Sequence, residues 1–305
     1  MTYQERTVSF LNNLTQWFKS RMAVLLLSAT TLAACDNDVF KESQSQMVVE
    51  GWIEDGGFPV VILTRSLPIS SDYVPMNDLS DYIVKWAKVT VSNGVDSVVL
   101  TGKYDDRYFP PYIYTTGNMR GKAGSTYYLT IEEDDLIASG VTTIPDNAPQ
   151  VDFKLGLQSS SDSLCQITAC LTDTHDQINY YQLFSRVGSR ISQYSAAFLG
   201  SLCNVTFGDY AEIPVYRGRA LTDSIQYTPY FHIGDSVSVK VASIDERAFE
   251  FWSDFTKNIS LSSNFFLSPS VNIFSNIQGA FGCWYGMNSV EQHFVISKEN
   301  NYQTP

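Results

Sequence analysis

The sequence predicts a mainly β protein: an antiparallel β-sandwich, then a second, mostly β domain with one amphipathic helix. Three observations carry the prediction. Short β-branched and aromatic runs recur between turn residues along most of the chain. Asn93-Gly94 sits between two such runs and is the strongest hairpin signal in the sequence. Helical spacing stands out in a single window, Ala248, Phe249, Trp252 and Phe255.

In chain order, Met47 to Glu54 (MVVEGWIE) and Phe58 to Arg65 flank Asp55-Gly56-Gly57 and read as a hairpin. A long loop, Ser66 to Asp81, follows, of the length that often carries function. Ile83 to Ser92 and Val95 to Thr101 form the Asn93-Gly94 hairpin. Thr126 to Glu132 and Leu136 to Ile144 flank an acidic bend, Glu132 to Asp135. Pro145-Asp146-Asn147-Ala148-Pro149 has two prolines and turn residues and marks a linker. The first domain is therefore 47–145 and the second 150–305.

In the second half, Val151 to Leu157, Leu164 to Leu171, Asn179 to Val187, Tyr227 to Phe231 and Ser236 to Ala242 are strand candidates, and Ile191 to Phe207 is ambiguous. Ser243 and Glu246 have capping-box spacing, which places a helix near 245–258 with an aromatic side on a sheet. Ile277 to Ile296 is rich in glycine and aromatics and ends in the strand-like Gln292 to Ser297.

The N-terminus carries a leader. Lys19 and Arg21 precede an apolar run, Ala23 to Ala34, that ends in small residues. That run falls short of the roughly 20 apolar residues a membrane span needs. Leu32-Ala33-Ala34-Cys35 resembles the lipobox of bacterial lipoproteins. The resemblance implies cleavage after residue 34, acylation of Cys35, and a chain tethered to a membrane. Several acyl chains hold a protein persistently where a single one is marginal. Residues 1–34 are then a signal peptide and the polar stretch 35–46 a flexible tether.

Composition narrows the function. Net charge is −12, and losing the leader removes Arg6, Lys19 and Arg21 against Glu5 alone. Such acidity argues against nucleic acid and anionic lipid surfaces as partners. The motifs of metalloproteases, serine hydrolases and phosphate-binding loops do not occur. His175, His232 and His293 are widely spaced, and the acidic stretches Glu132 to Asp135 and Asp105-Asp106 lack calcium-loop spacing. The sequence therefore calls for no catalytic residue, metal or cofactor.

Four cysteines follow Cys35: Cys165, Cys170, Cys203 and Cys283. On one strand, Cys165 and Cys170 would lie about 16 Å apart, beyond the roughly 7 Å a disulfide allows. Each must then pair with Cys203 or Cys283, or all four are buried thiols. The best binding candidate is the cluster Tyr104, Tyr108, Phe109, Tyr112 and Tyr114, interrupted by Pro110-Pro111. Rings with polar tips suit protein contacts and sugar stacking, although alternate tyrosines on a strand serve equally as core.

Several stretches together resemble the Bacteroidota outer-membrane lipoproteins of domain-of-unknown-function family 4249. They are the lipobox, Met47 to Ser66, the Tyr127-Tyr128 strand with Thr143-Ile144-Pro145, Asn179-Tyr180-Tyr181, the Asp245 to Phe255 helix, and NIQGAFGCWYG (Asn276 to Gly286). The resemblance implies an Ig-like first sandwich, attachment to the outer membrane, and company with a TonB-dependent transporter. Asp36 and Asp38 partly match the acidic signal that exports such proteins to the surface, so either face of the membrane stays open. The expectation is a non-enzymatic, lipid-anchored accessory of a transporter. The alternative is a surface adhesin or glycan-binding module, and a hydrolase stands third.

Overall fold

Strand β1 (Met47–Glu54) alternates strictly between buried and half-buried residues, with Met47, Val49, Gly51 and Ile53 facing a core. The Asp55–Gly57 turn brings β2 (Val60–Arg65) back antiparallel, with Val49 opposite Leu63. The computed structural model describes residues 45–66, 80–157, 163–174, 176–188, 193–218, 228–262 and 273–297. Residues 1–44, with Cys35 among them, most of the Ser66–Asp81 loop and His175 lie outside them.

The order continues with β3 (Lys88–Ser92), β4 (Ser97–Val99), β5 (Thr101–Tyr104), β6 (Tyr112–Thr115), β7 (Thr126–Glu133) and β8 (Leu136–Thr143). Then come β9 (Gln150–Leu157), β10 (Leu164–Thr172), β11 (Tyr180–Val187), β12 (Ser195–Cys203), the one-turn helix α1 (Asn204–Phe207) and β13 (Tyr210–Val215). The chain closes with β14 (Phe231–His232), β15 (Ser236–Ile244), helix α2 (Glu246–Ser262), β16 (Ile277–Gln278) and β17 (Phe281–Val295). The protein is mainly β, as the turn and strand pattern predicts.

Three sheets result. The largest has the order β12-β11-β15-β17-β1-β2-β6-β5 and draws strands from both sides of the Pro145–Pro149 segment. A five-stranded sheet, β16-β8-β7-β3-β4, comes mainly from the first half, and a four-stranded sheet of β13, β10, β14 and β9 from the second. Strand β17 joins the halves: its first part runs parallel to β1, with Trp52 opposite Tyr285, and its length runs antiparallel to β15, with Val241 opposite Val290.

The registers put Val49, Leu63, Trp284, Val241 and Leu183 on one face of the long sheet. Both small sheets pack on that face. Met47, Val49, Ile53, Val61, Leu63 and Trp284 meet Val89, Val91, Tyr127, Leu129 and Ile131 of the five-stranded sheet. Farther along, Tyr181, Leu183, Val237, Val239 and Val241 meet Cys165, Ile167, Leu171, Ile213 and Phe231. The result is two sandwiches that share one sheet. Asn288 of β17 donates to the carbonyls of Pro145 (3.1 Å) and Asp146 (3.2 Å), which fixes the linker where the chain steps from one small sheet to the other.

The opposite face has other cover. Ala248 and Trp252 of α2 pack on Phe184, Ala242, Ile244, Tyr285 and Met287. Nearer the other end, Val60, Ile62 and Ile113 lie under Trp52 and Tyr108.

Two expectations change. Asp245, not Ser243, caps α2: its carboxylate accepts from the Ala248 N–H at 2.8 Å and from the Thr142 hydroxyl at 2.6 Å. Ser243 stays in β15, opposite Tyr181 and Asn288, so ladder pairing outcompetes the capping box. The tail is strand from Phe281 onward, far earlier than Gln292, because Gly282 and Gly286 mask the pattern without breaking it. Gly282 has φ +118°, and a Cβ there would overlap the Val49 carbonyl.

Candidate functional site

The tyrosine cluster divides by function. Tyr114 is core: only 2% exposed, it donates to the Val84 carbonyl (3.0 Å) and accepts from the Ala87 N–H (3.2 Å). Burial pushes its phenol up to about 12. Tyr112 donates to the Lys85 carbonyl at 3.2 Å. These two rings pin the irregular segment 80–87 against β6. Tyr104 is 71% exposed, at the end of β5.

Between β5 and β6 the chain makes a loop held by its own charges. Asp105 is buried and accepts from the Arg107 N–H (3.2 Å), Nε (2.8 Å) and Nη2 (2.6 Å), with Lys103 Nζ 3.6 Å away. Those bonds, led by the Arg107 side chain, hold the carboxyl down at about 2. The Asp105 N–H donates to the Pro111 carbonyl at 3.2 Å, closing the loop. Gln193, two residues before β12, braces it, accepting from the Phe109 N–H at 2.8 Å and donating through its own backbone N–H to the Arg107 carbonyl at 3.3 Å.

The loop and the 80–87 segment enclose a groove of about 390 Å³. Tyr104, Tyr108, Phe109, Pro110, Pro111 and Tyr112 line it, with Ser80, Ile83, Lys85 and Asp106 completing the wall. Trp86, next to Lys85 in the chain, is 93% exposed. The structure thus gathers Tyr104, Tyr108, Phe109 and Tyr112 on one surface and leaves Tyr114 in the core. Clustering in the sequence marked the rings. It could not mark Lys85 and Asp106, which lie on irregular backbone.

The other candidate residues fall elsewhere. Among the described residues no disulfide joins Cys165, Cys170, Cys203 and Cys283. Cys165 and Cys170 share β10, Cys203 ends β12 and Cys283 lies in β17 opposite Glu50, so each thiol faces its own surroundings. Asp173 is bound by Asn179 Nδ2 (3.1 Å) and the Tyr181 hydroxyl (2.6 Å). Of the acidic bend, Glu132 pairs with Lys88 (2.8 Å) and Glu133 with Arg65 (2.6 Å). His232 lies 3.9 Å from Asp235, and His293 lies beside Ser236 and Ser238. No three His, Cys, Asp or Glu side chains come together as a metal site among the described residues. No described helix is long and apolar enough to cross a membrane.

The motif Asn276 to Gly286 is structural. The Asn276 side chain pairs with the backbone of Trp284, accepting from its N–H (2.8 Å) and donating to its carbonyl (2.7 Å). The Trp284 indole donates to the Tyr127 carbonyl at 3.2 Å. Fold and groove define a class, a β-sandwich protein with an aromatic surface groove. The family model described as a domain of unknown function (DUF4249) matches residues 36–293, and the chain belongs to that family. No curated protein matches the chain.

Proposed function

We propose that this protein is a lipid-anchored accessory of the cell envelope, held to the outer membrane through acylated Cys35. Its aromatic groove makes a protein contact with a TonB-dependent transporter, and its role is binding and not catalysis. The observation that carries the reading is the exposure of aromatic surface at the groove, Tyr104 at 71% and neighbouring Trp86 at 93%. Large rings left in water mark interaction surfaces, and tyrosine and tryptophan are the residues such surfaces favour. A membrane tether raises local concentration, so even a weak contact is populated. Affinity capture of the tagged full-length chain from native membranes tests the reading. The wild type should recover a TonB-dependent receptor, and a Trp86→Ser, Tyr104→Ala double variant should not. Capture without any such receptor contradicts it.

A second reading has its own support. Asp106 and Lys85 stand beside the rings of the groove, and rings flanked by hydrogen-bonding groups are what a sugar needs. Glycan-array binding that disappears on Tyr108→Ala or Tyr112→Ala substitution would favour an adhesin.

A further inference from the structure

Below the groove, on the long-sheet face that α2 and the 105–111 loop cover, lies a second cavity of about 150 Å³. Tyr108 lines both spaces. Trp52 and Tyr285 supply further wall, with ring centroids 6.2 Å (Trp52–Tyr108) and 6.4 Å (Trp52–Tyr285) apart. Glu50 and Glu54 enter from β1, two and six residues beyond Val48 on the same strand face.

The two carboxylates differ in what neutralises them. Glu54 is matched: Lys240 Nζ lies 2.6 Å away, and Ser289 donates a second hydrogen bond. Lys240 also sits 4.8 Å above the Tyr194 ring, and the Arg186 guanidinium 4.6 Å from it, so that ring already serves two cations. Glu50 has a neutral partner only, the Gln193 amide, at 3.2 and 3.4 Å. Glu50 is half-buried, and its side chain lines the cavity. A charged carboxylate in such surroundings lacks one positive charge, and burial raises its affinity for a proton accordingly.

We propose that this chamber binds a small organic ammonium ion, with Glu50 as its counter-charge and Trp52, Tyr108 and Tyr285 as its aromatic walls. Electron-rich ring faces attract cations most strongly where water is excluded, and quaternary ammonium groups are recognised by such cages. A cavity of 150 Å³ holds a ligand of about the size of benzene. That admits choline or tetramethylammonium and rejects a sugar ring with its substituents or a peptide. The inference does not depend on the membrane tether or on the groove's partner.

Calorimetric titration of the full-length chain in detergent tests it, with choline and its uncharged carbon isostere, 3,3-dimethylbutan-1-ol. Choline should saturate a single site, and the isostere should bind at least about tenfold more weakly. Glu50→Gln and Trp52→Leu, checked for native circular dichroism, should each weaken choline by about tenfold or more. No saturation by choline, equal affinity for the isostere, or full affinity in folded Glu50→Gln would each overturn the proposal. The isostere comparison on the wild type stands even where a variant fails to fold.

Discussion

Glu50 and Gly282 sit in neighbouring strands of one sheet, and each departs from what a strand ordinarily holds. Glu50 has its carboxyl raised above the usual 4.5 by burial, partly offset by the Gln193 hydrogen bond. The charges and titratable groups around it are Glu54 on its own strand, Cys283 and Tyr285 on β17, Lys240 on β15, Tyr108 of the 105–111 loop and Tyr194 just before β12. A carboxyl whose folded value lies above its unfolded one binds its proton more tightly in the native state. Its contribution is complete below the unfolded value and is lost as pH rises through the folded one. Glu50→Gln removes that loss. Its urea midpoint should fall less than the wild type's as pH rises above 4.5, and a steeper fall would contradict the assignment. Asp105 has the opposite sign. Held down at about 2, it stabilises above its unfolded value of 3.8 and loses that contribution as pH falls through 2. Gly282→Ala meets both an unfavourable φ and the Val49 carbonyl. It should cost roughly 3 kcal/mol in thermal or chemical unfolding.

At the scale of elements, helix α2 and the 105–111 loop are the two covers of the long sheet's second face. Asp245 is the hinge between β15 and α2, and it also reaches β8 through Thr142. Asp245→Ala should cost about 1–2 kcal/mol by loss of the cap, whereas Ser243→Ala should leave the helix end unchanged. Trp252→Ala removes a ring packed on Phe184 and Tyr285 and should cost about 3–5 kcal/mol. Both are read from denaturation midpoints. Elements were the most legible scale in the sequence. β-Branched and aromatic runs gave β1, β2, β7, β8 and β11, turn chemistry gave their hairpins, and helical spacing gave α2. Tyr210–Val215 went unread because Pro214 stands inside it and polar residues flank it. The early part of β17 went unread because its glycines, which allow close approach of Val49 and Ile144, look like turn residues. Of the site, the rings were legible and the chamber was not. Glu50, Tyr108, Lys240 and Tyr285 come from four separate segments, and only the sheet order joins them.

For the whole molecule, the decisive feature is the shared sheet. The Pro145–Pro149 segment separates two groups of hairpins, yet β17 passes between β1 and β15 and contributes to the packing of both. Two sandwiches with a common strand should unfold together. Calorimetry of the full-length chain should show one main transition, and Val241→Ala, in the second core, should reduce amide-exchange protection at Leu129, in the first. Two separable transitions would mean that β17 does not couple them. The same arrangement puts the chamber on the side of the sheet that the small sandwiches leave uncovered.

The most direct test of the proposed role is photo-crosslinking in intact envelopes, with a benzophenone side chain in place of Tyr104 in the full-length protein. The account predicts an adduct with an outer-membrane β-barrel receptor, and its loss when Cys35 is also changed to Ala. No receptor adduct, or the same adduct in the Cys35→Ala form, would contradict it.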